Sequence, residues 1–264
     1  MKNLIFCDVD GTIIDGTRGL KKVTPKTIHA FNELKKDNYI FIASGRCMGL
    51  LDPQIKGLKP SGFVLCNGAY AEIDGKSIYE EYFDHQTAEK IMEVALKYDG
   101  FYVLESLHRM FVNDVDAPQF IKFLKDWGES IEGYENRNNL DHRYHVAMIG
   151  FQTEEDCLKS EIDLKDYADL GRHGLYKSYD VNKRGIHKGI AVKKVMEYLN
   201  IDKQHTYCFG DGINDLEMLQ AVGHPVRMAN ADDKIKGYDF EDTLDVLEDG
   251  FYDYLVKHKL IKPL

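Results

Sequence analysis

Four short apolar runs, each ending abruptly in polar or glycine residues, most constrain what this chain can fold into. They are Leu4-Ile5-Phe6-Cys7 ahead of Asp8-Val9-Asp10-Gly11-Thr12, Tyr39-Ile40-Phe41-Ile42-Ala43 ahead of Ser44-Gly45-Arg46, Gly62-Phe63-Val64-Leu65-Cys66 ahead of Asn67-Gly68, and Thr206-Tyr207-Cys208-Phe209 ahead of Gly210-Asp211-Gly212-Ile213-Asn214-Asp215. Each is of strand length and continuously apolar, the pattern of strands buried on both faces of a parallel sheet covered by helices. A helix is predicted over 25–37, with Thr24 as cap, Pro25 at its first position and an apolar stripe of Ile28, Phe31 and Leu34. Helices over 187–199 and 213–220 and a strand near 224–228 continue this style. Residues 1–82 and 185–264 therefore read as one α/β core with a doubly wound, Rossmann-like parallel sheet.

The middle of the chain reads differently. Helices are predicted over 84–98, 117–127 and 153–167, interleaved with strands near 101–104, 109–113, 145–150 and 174–179. Such units imply an α+β layer with helices on one face, inserted as a second domain over 83–184. Asp180-Val181-Asn182-Lys183-Arg184-Gly185 reads as an exposed return linker. Trp127, Phe120, Phe123 and Leu124 read as a packed helix face, and Phe251, Tyr252, Tyr254 and Leu255 as a terminal helix docked on the sheet.

Composition removes several classes of function. A formal net charge of −10 over 264 residues argues against a nucleic-acid or anionic-membrane partner. The chain has no apolar run of 18 residues, the length a transmembrane helix needs, and it enters a strand at once without a signal-peptide layout. Its five cysteines are odd in number and form no Cys-x-x-Cys pair, which suits a reducing, cytoplasmic compartment. A monomer or weak homo-oligomer is expected.

In an open α/β sheet, ligands gather beyond the carboxyl ends of the strands. Asp8, Asp10, Ser44, Asn67 and Asp211 all fall at such ends, and Lys188 falls at the start of a predicted helix, where the backbone dipole favours an anion. Asp8 and Asp10, two residues apart, are expected on one side of the chain. Three acids suit a hard cation such as Mg²⁺; a hydroxyl, an amide and a lysine suit a phosphate. Each residue alone has a plainer reading: Ser44 as a turn residue, Lys188 as a solvated helix lysine, Arg46 as half of an ion pair. A calcium loop at Asp8 wants glycine at its sixth position and a preceding helix, whereas Ile13 and a strand stand there. Asp141-His142-Arg143-Tyr144-His145 reads as surface or packing residues, because histidines three apart on an extended segment face opposite ways.

Asp8-Val9-Asp10-Gly11-Thr12, Ser44 within Ile42-Ala43-Ser44-Gly45-Arg46, Asn67-Gly68-Ala69, Lys188-Gly189 and Gly210-Asp211-Gly212-Ile213-Asn214-Asp215 together resemble the haloacid dehalogenase superfamily, and within it the Cof-type phosphatases of subclass IIB. The resemblance implies a core of this fold with an inserted cap that selects the substrate. It implies Asp8 as nucleophile, forming an aspartyl-phosphate, and Asp10 as general acid and base. Asp8, the Asp10 main-chain carbonyl and Asp211 would hold Mg²⁺, with Asp215 in support. Ser44, the Gly45 N–H, Lys188 and Asn214 would hold the phosphoryl oxygens. The substrate would be a small phosphorylated metabolite, such as a sugar phosphate. A phosphomutase and a non-catalytic binding regulator are the rivals; a dehalogenase does not need Asp10, and a pump would need membrane spans. One departure stands out: the usual G-V-A-M-G-N-A is here Pro225-Val226-Arg227-Met228-Ala229-Asn230-Ala231, which makes the backbone shape at Arg227 an open question.

Overall fold

A computed structural model describes residues 2–128, 130–137, 143–174 and 176–264, and at the centre of its larger sheet lies β1 (Leu4–Cys7). Its four side chains are fully buried, as continuous apolarity requires, and burying Leu4, Ile5 and Phe6 contributes roughly 1.5–3 kcal/mol each. The chain then runs through α1 (Pro25–Asp37), β2 (Tyr39–Ala43), α2 (Pro53–Gly57), β3 (Gly62–Leu65), β4 (Tyr70–Ile73) and β5 (Lys76–Glu80). Next come α3 (His85–Lys97), β6 (Phe101–Glu105), β7 (Met110–Val112), α4 (Pro118–Trp127), β8 (Tyr134–Asn136), β9 (Val146–Gly150), α5 (Glu154–Leu164), β10 (Ala168–Arg172) and β11 (Ser178–Lys183). It closes with α6 (Lys188–Leu199), β12 (Thr206–Gly210), α7 (Leu216–Ala221), β13 (His224–Arg227), β14 (Glu241–Asp242) and α8 (Gly250–Lys257). Among the described residues no helix is long and apolar enough to cross a membrane.

The described residues divide into two compact units. The first comprises Met1–Gly45, Leu51–Glu80 and His187–Leu264; the second comprises Arg46–Leu50 and Glu81–Ile186. The first unit holds the larger sheet, in the order β14-β13-β12-β1-β2-β3-β4-β5. The six strands from β14 to β3 are parallel, and β4 and β5 add an antiparallel hairpin at one edge. The sequence marks that hairpin's turn at Asp74-Gly75, both with positive φ; β4 is largely buried, while β5 at the sheet edge is exposed and carries little apolar signal. Phe6, Phe41, Val64 and Cys208 pack with Val192, Val195, Met218 and Leu219 of α6 and α7. On the alternate face, Phe209 meets Phe251 of α8 with ring centroids 4.8 Å apart, and Phe251 meets Phe31 of α1 at 5.7 Å. The chain winds outward from β1 to β3 in one direction and from β12 to β14 in the other. The point of reversal lies between β1 and β12, beyond whose ends stand Asp8 and Asp211.

The second unit has its own sheet, in the order β10-β11-β9-β6-β7-β8, and its own core. Ile91 and Ala95 of α3 and Cys157 and Leu164 of α5 pack on Tyr102, Leu104, Ile149, Tyr179 and Val181. Not all helices share that face: Phe120 and Phe123 of α4 meet Phe101, whose side chain alternates with that of Tyr102. The reading of Asp180–Lys183 as linker is corrected, because these residues belong to β11, paired with β9 and β10. Buried Tyr179 and Val181 alternate with Asp180 and Asn182, and period-2 alternation marks a strand however polar its second face. Strand β10 has the same weak signal, with Ala168 and Leu170 alternating with Asp169 and Gly171. Asp141 and His142 lie outside the described residues, and His145 is buried.

Candidate active site

The centre of the site is an ion cluster beyond β1 and β12. The Lys188 ammonium donates to Asp8 Oδ1 at 2.6 Å and to Asp215 Oδ1 at 2.7 Å. Lys188 is 1% exposed and Asp8 6%, so the pair sits away from bulk water. Asp8, Asp211 and Asp215 each offer a carboxylate oxygen within 4.8 Å of the others. Three acids in one place carry more negative charge than a single lysine offsets. Burial, then Asp215, pushes the Asp8 carboxyl up to about 7, against the pull of Lys188. Burial, then Asp8 and Asp215, pushes Asp211 up to about 9. For Lys188, burial pulls downward, but the two carboxylates outweigh it and hold the ammonium charged. A group of oxygen donors this electron-rich fits a hard divalent cation.

Each acid is held by local structure that the motifs encode. Asp215 ends the short 3₁₀ turn Ile213–Asp215, and its Oδ2 accepts from the Asp211 and Gly212 N–H groups, both at 3.0 Å. Asp211 Oδ1 accepts from the Thr12 hydroxyl at 3.3 Å. The Asp211 carboxylate lies so close to Gly11 (φ +85°) that a Cβ there would stand 2.0 Å from Oδ2. The Asn230 amide donates to the Gly11 carbonyl at 2.8 Å, and its oxygen accepts from Val246 N at 2.9 Å, which ties the loop after β1 to the C-terminal segment. Asp10 is exposed at the rim of that loop, while Asp8, two residues earlier, is buried.

The phosphate-type groups gather beyond β2, β3 and at the start of α6. Ser44 is buried, its N–H bonded to Val64 O at 2.9 Å. Gly45 faces Asn67, and a Cβ on Gly45 would meet Asn67 Oδ1 at 2.8 Å. Asn214 donates to that same Asn67 oxygen at 3.2 Å. Thus Gly45 and Asn214, from separate motifs, meet at Asn67, and Lys188 joins Asp8 to Asp215. Sequence reasoning left Thr12 and Asn230 without roles; their signals were the motif threonine and the Asn-Ala pair after β13. Arg227 resolves the question raised by its bulk. It continues β13 as ordinary strand and turns its guanidinium to the Ile235 and Tyr238 carbonyls and to Asp242. The nearby thiols of Cys7 and Cys208 are raised far above their ordinary range by burial, then by neighbouring acids, so they stay protonated and unreactive.

Comparison with known proteins gives this geometry its context. Residues 5–255 match the haloacid dehalogenase-like hydrolase family. The chain is 29% identical over 260 residues to YkrA of Bacillus subtilis (strain 168), covering 96% of each. It is 25% identical over 240 residues to 5-amino-6-(5-phospho-D-ribitylamino)uracil phosphatase YcsE of the same organism, covering 88% of this chain and 86% of that one. A solved structure of a Geobacillus kaustophilus HTA426 protein superposes with a TM-score of 0.87 at 27% identity, covering 99% of this chain and 100% of that one. Across the length of both units, this chain belongs to the haloacid dehalogenase-like hydrolases, among the phosphatases of that family.

Proposed function

We propose that the protein is a Mg²⁺-dependent phosphatase of small phosphorylated sugars and sugar alcohols that works through an aspartyl-phosphate on Asp8. The observation that carries this reading is the buried Asp8–Lys188–Asp215 cluster with Asp211 beside it. Asp8, Asp211 and the Asp10 main-chain carbonyl would hold the ion, with Asp215 fixing Lys188 and the Asp211 backbone. When bound, Mg²⁺ neutralises the acids and polarises the phosphoryl group. Such compensation is needed, because a carboxylate about 4 Å from a phosphate dianion is repelled by about 8 kcal/mol at an effective dielectric of 20.

The residues then divide the work. Ser44, the Gly45 N–H, Lys188 and Asn214 hold the phosphoryl oxygens. An Asp8 carboxylate oxygen attacks phosphorus and the ester P–O bond breaks, with the leaving alkoxide taking a proton from Asp10. Asp10 next removes a proton from water. That water attacks phosphorus, the Asp8–phosphorus bond breaks, and inorganic phosphate leaves. The exposure of Asp10 supports this double duty, since the alcohol must leave and water must enter beside it. Residues 83–184 are proposed to select the alcohol portion. The ribityl phosphate in the name of the relative YcsE supports the choice of a polyol or sugar ester.

A phosphate-release screen over phosphorylated sugars and polyols, with and without Mg²⁺, tests the reading. Mg²⁺-dependent inorganic phosphate from several of them is expected. Isomerised sugar phosphate with little free phosphate would point to a mutase, and full release in excess chelator would remove the metal from the reading.

A further inference from the structure

Between β3 and β4 the backbone takes three left-handed residues in succession: Cys66 (φ +54°), Asn67 (φ +50°) and Gly68 (φ +93°). Glycine enters this region freely and asparagine at small cost, but a cysteine does not. Non-glycine residues persist there only where the surroundings over-determine the conformation, and they cluster at functional sites. This turn is closed in on several sides. A Cβ on Gly68 would stand 2.3 Å from the His187 carbonyl oxygen and 2.6 Å from Lys188 N, so the turn presses on the first residues of α6. Against Gly45 there is equally little room, as the 2.8 Å approach to Asn67 Oδ1 shows. The buried Asn67 side chain thereby reaches Asn214 Nδ2.

Asn214 needs such a partner. It is exposed, in the middle of a single 3₁₀ turn, where an asparagine on its own would sample several rotamers. We propose that Asn67 is a positioning residue for phosphoryl binding: packed against Gly45, its Oδ1 fixes the Asn214 carboxamide in one orientation, so that the groups holding the phosphoryl oxygens are set before substrate arrives. This rests on the phosphatase reading, which assigns Gly45 and Asn214 to those oxygens. Pre-setting a donor spares the ordering that binding would otherwise require. The strained turn is what places the Asn67 side chain where no extended residue could present it.

The test is a double-mutant cycle with Asn67→Gly and Asn214→Ala in the full-length protein. Glycine keeps the left-handed turn and removes only the side chain. Three quantities are measured: KM and kcat for a phosphomonoester turned over by the wild type, the Kd of inorganic phosphate by calorimetry with Mg²⁺, and the melting temperature. Loss of one hydrogen bond predicts a rise in KM and in phosphate Kd of about threefold to tenfold, with kcat falling by less. In the Asn214→Ala background, Asn67→Gly should change either quantity less than twofold. A purely structural role would lower the melting temperature, leave the phosphate Kd at its wild-type value and give no coupling in the cycle. The proposal is overturned if Asn67→Gly leaves phosphate Kd within twofold, or if its effect is the same in both backgrounds. Should the glycine variant not fold, Asn214→Ala against the wild type carries the test, and a phosphate Kd within twofold of wild type overturns the proposal. A wild type that binds phosphate but turns over no ester would fail the phosphatase reading, while the coupling would still be read from phosphate Kd. Absence of phosphate binding by the wild type would overturn both.

Discussion

Replacing Gly11 with alanine should separate the carboxylate of Asp211 from any bound cation while leaving the rest of the protein in place. The added Cβ would lie 2.0 Å from Asp211 Oδ2, 2.4 Å from its Cγ and 2.6 Å from its Oδ1. Ordinary contact begins near 3.4 Å, so the carboxylate must retreat by about 1.4 Å (3.4 − 2.0). Mg²⁺ tolerates displacements of only about 0.2 Å in its donors. Misplacement by about 1 Å costs roughly 100-fold in rate. Gly11 is also left-handed at φ +85°, so alanine there adds about 1–2 kcal/mol of backbone strain, or roughly 2–8 °C in melting temperature. Gly19→Ala is the matched control: it has φ +93° and nothing within 4 Å of its Cβ, so it carries the strain without the collision. Mg²⁺-dependent phosphate release is followed for both variants as Mg²⁺ is titrated. Gly11→Ala should raise the half-saturating Mg²⁺ concentration at least about tenfold and lower kcat/KM about 100-fold, with Gly19→Ala close to wild type. Equal Mg²⁺ dependence in Gly11→Ala and Gly19→Ala would refute the reasoning, because the collision is then relieved without cost to the ion site.

Asp8→Asn should lower kcat on the order of 1,000-fold or more, yet hold or raise the melting temperature of the chelated protein at pH 8, since it removes one of three crowded carboxylates; a lower melting temperature would show that the Lys188 pair outweighs the crowding. Without a cation, Asp8 and Asp211 sit at about 7 and about 9, above their values in an unfolded chain, so the fold binds protons that the unfolded chain releases. The stability this gives is complete below about pH 4 and is lost as pH rises toward 7 and then 9. Melting in chelator should therefore fall across that window, Mg²⁺ should restore more at pH 8.5 than at pH 6, and a flat chelated profile would contradict the crowding. Arg227→Ala removes donors to the Ile235 and Tyr238 carbonyls and to Asp242, and should cost roughly 1–3 kcal/mol in urea unfolding while kcat/KM stays within twofold.

The strand ends were legible because continuous apolar runs have one economical use, and the residues after each run fall where an open parallel sheet gathers ligands. That is why Asp8, Ser44 and Asp211 could be placed from sequence. Strands with one polar face were not legible in the same way: the second part of β11 sets Val181 among Asp180, Asn182 and Lys183, and passes for a linker. The sharing of Lys188 between Asp8 and Asp215 joins residues 180 and 27 positions apart, and no local pattern encodes it. The need for glycine at position 11 is likewise visible only once Asp211 is seen against it. Asn67 could be expected to adopt a left-handed turn from Asn-Gly, but Cys66 could not, and it takes both to aim the side chain at Asn214.

The central place of β1 sets a timetable for synthesis. Its partner on one edge, β2, follows at once, but its partner on the other is β12, where Leu4 faces Thr206, 202 residues later (206 − 4). At roughly 5–20 residues per second on the ribosome, that is about 10–40 s. The second unit ends at Ile186, so every strand it needs has been made before β12 exists. During that interval β1, which ends just before Asp8, offers one unpaired apolar edge, the feature most open to pairing with the wrong chain. Every strand of the inserted part is thus made before β1 gains its second neighbour, and for that interval an apolar strand edge, rather than the chemistry at its tip, is the exposed hazard of the new chain.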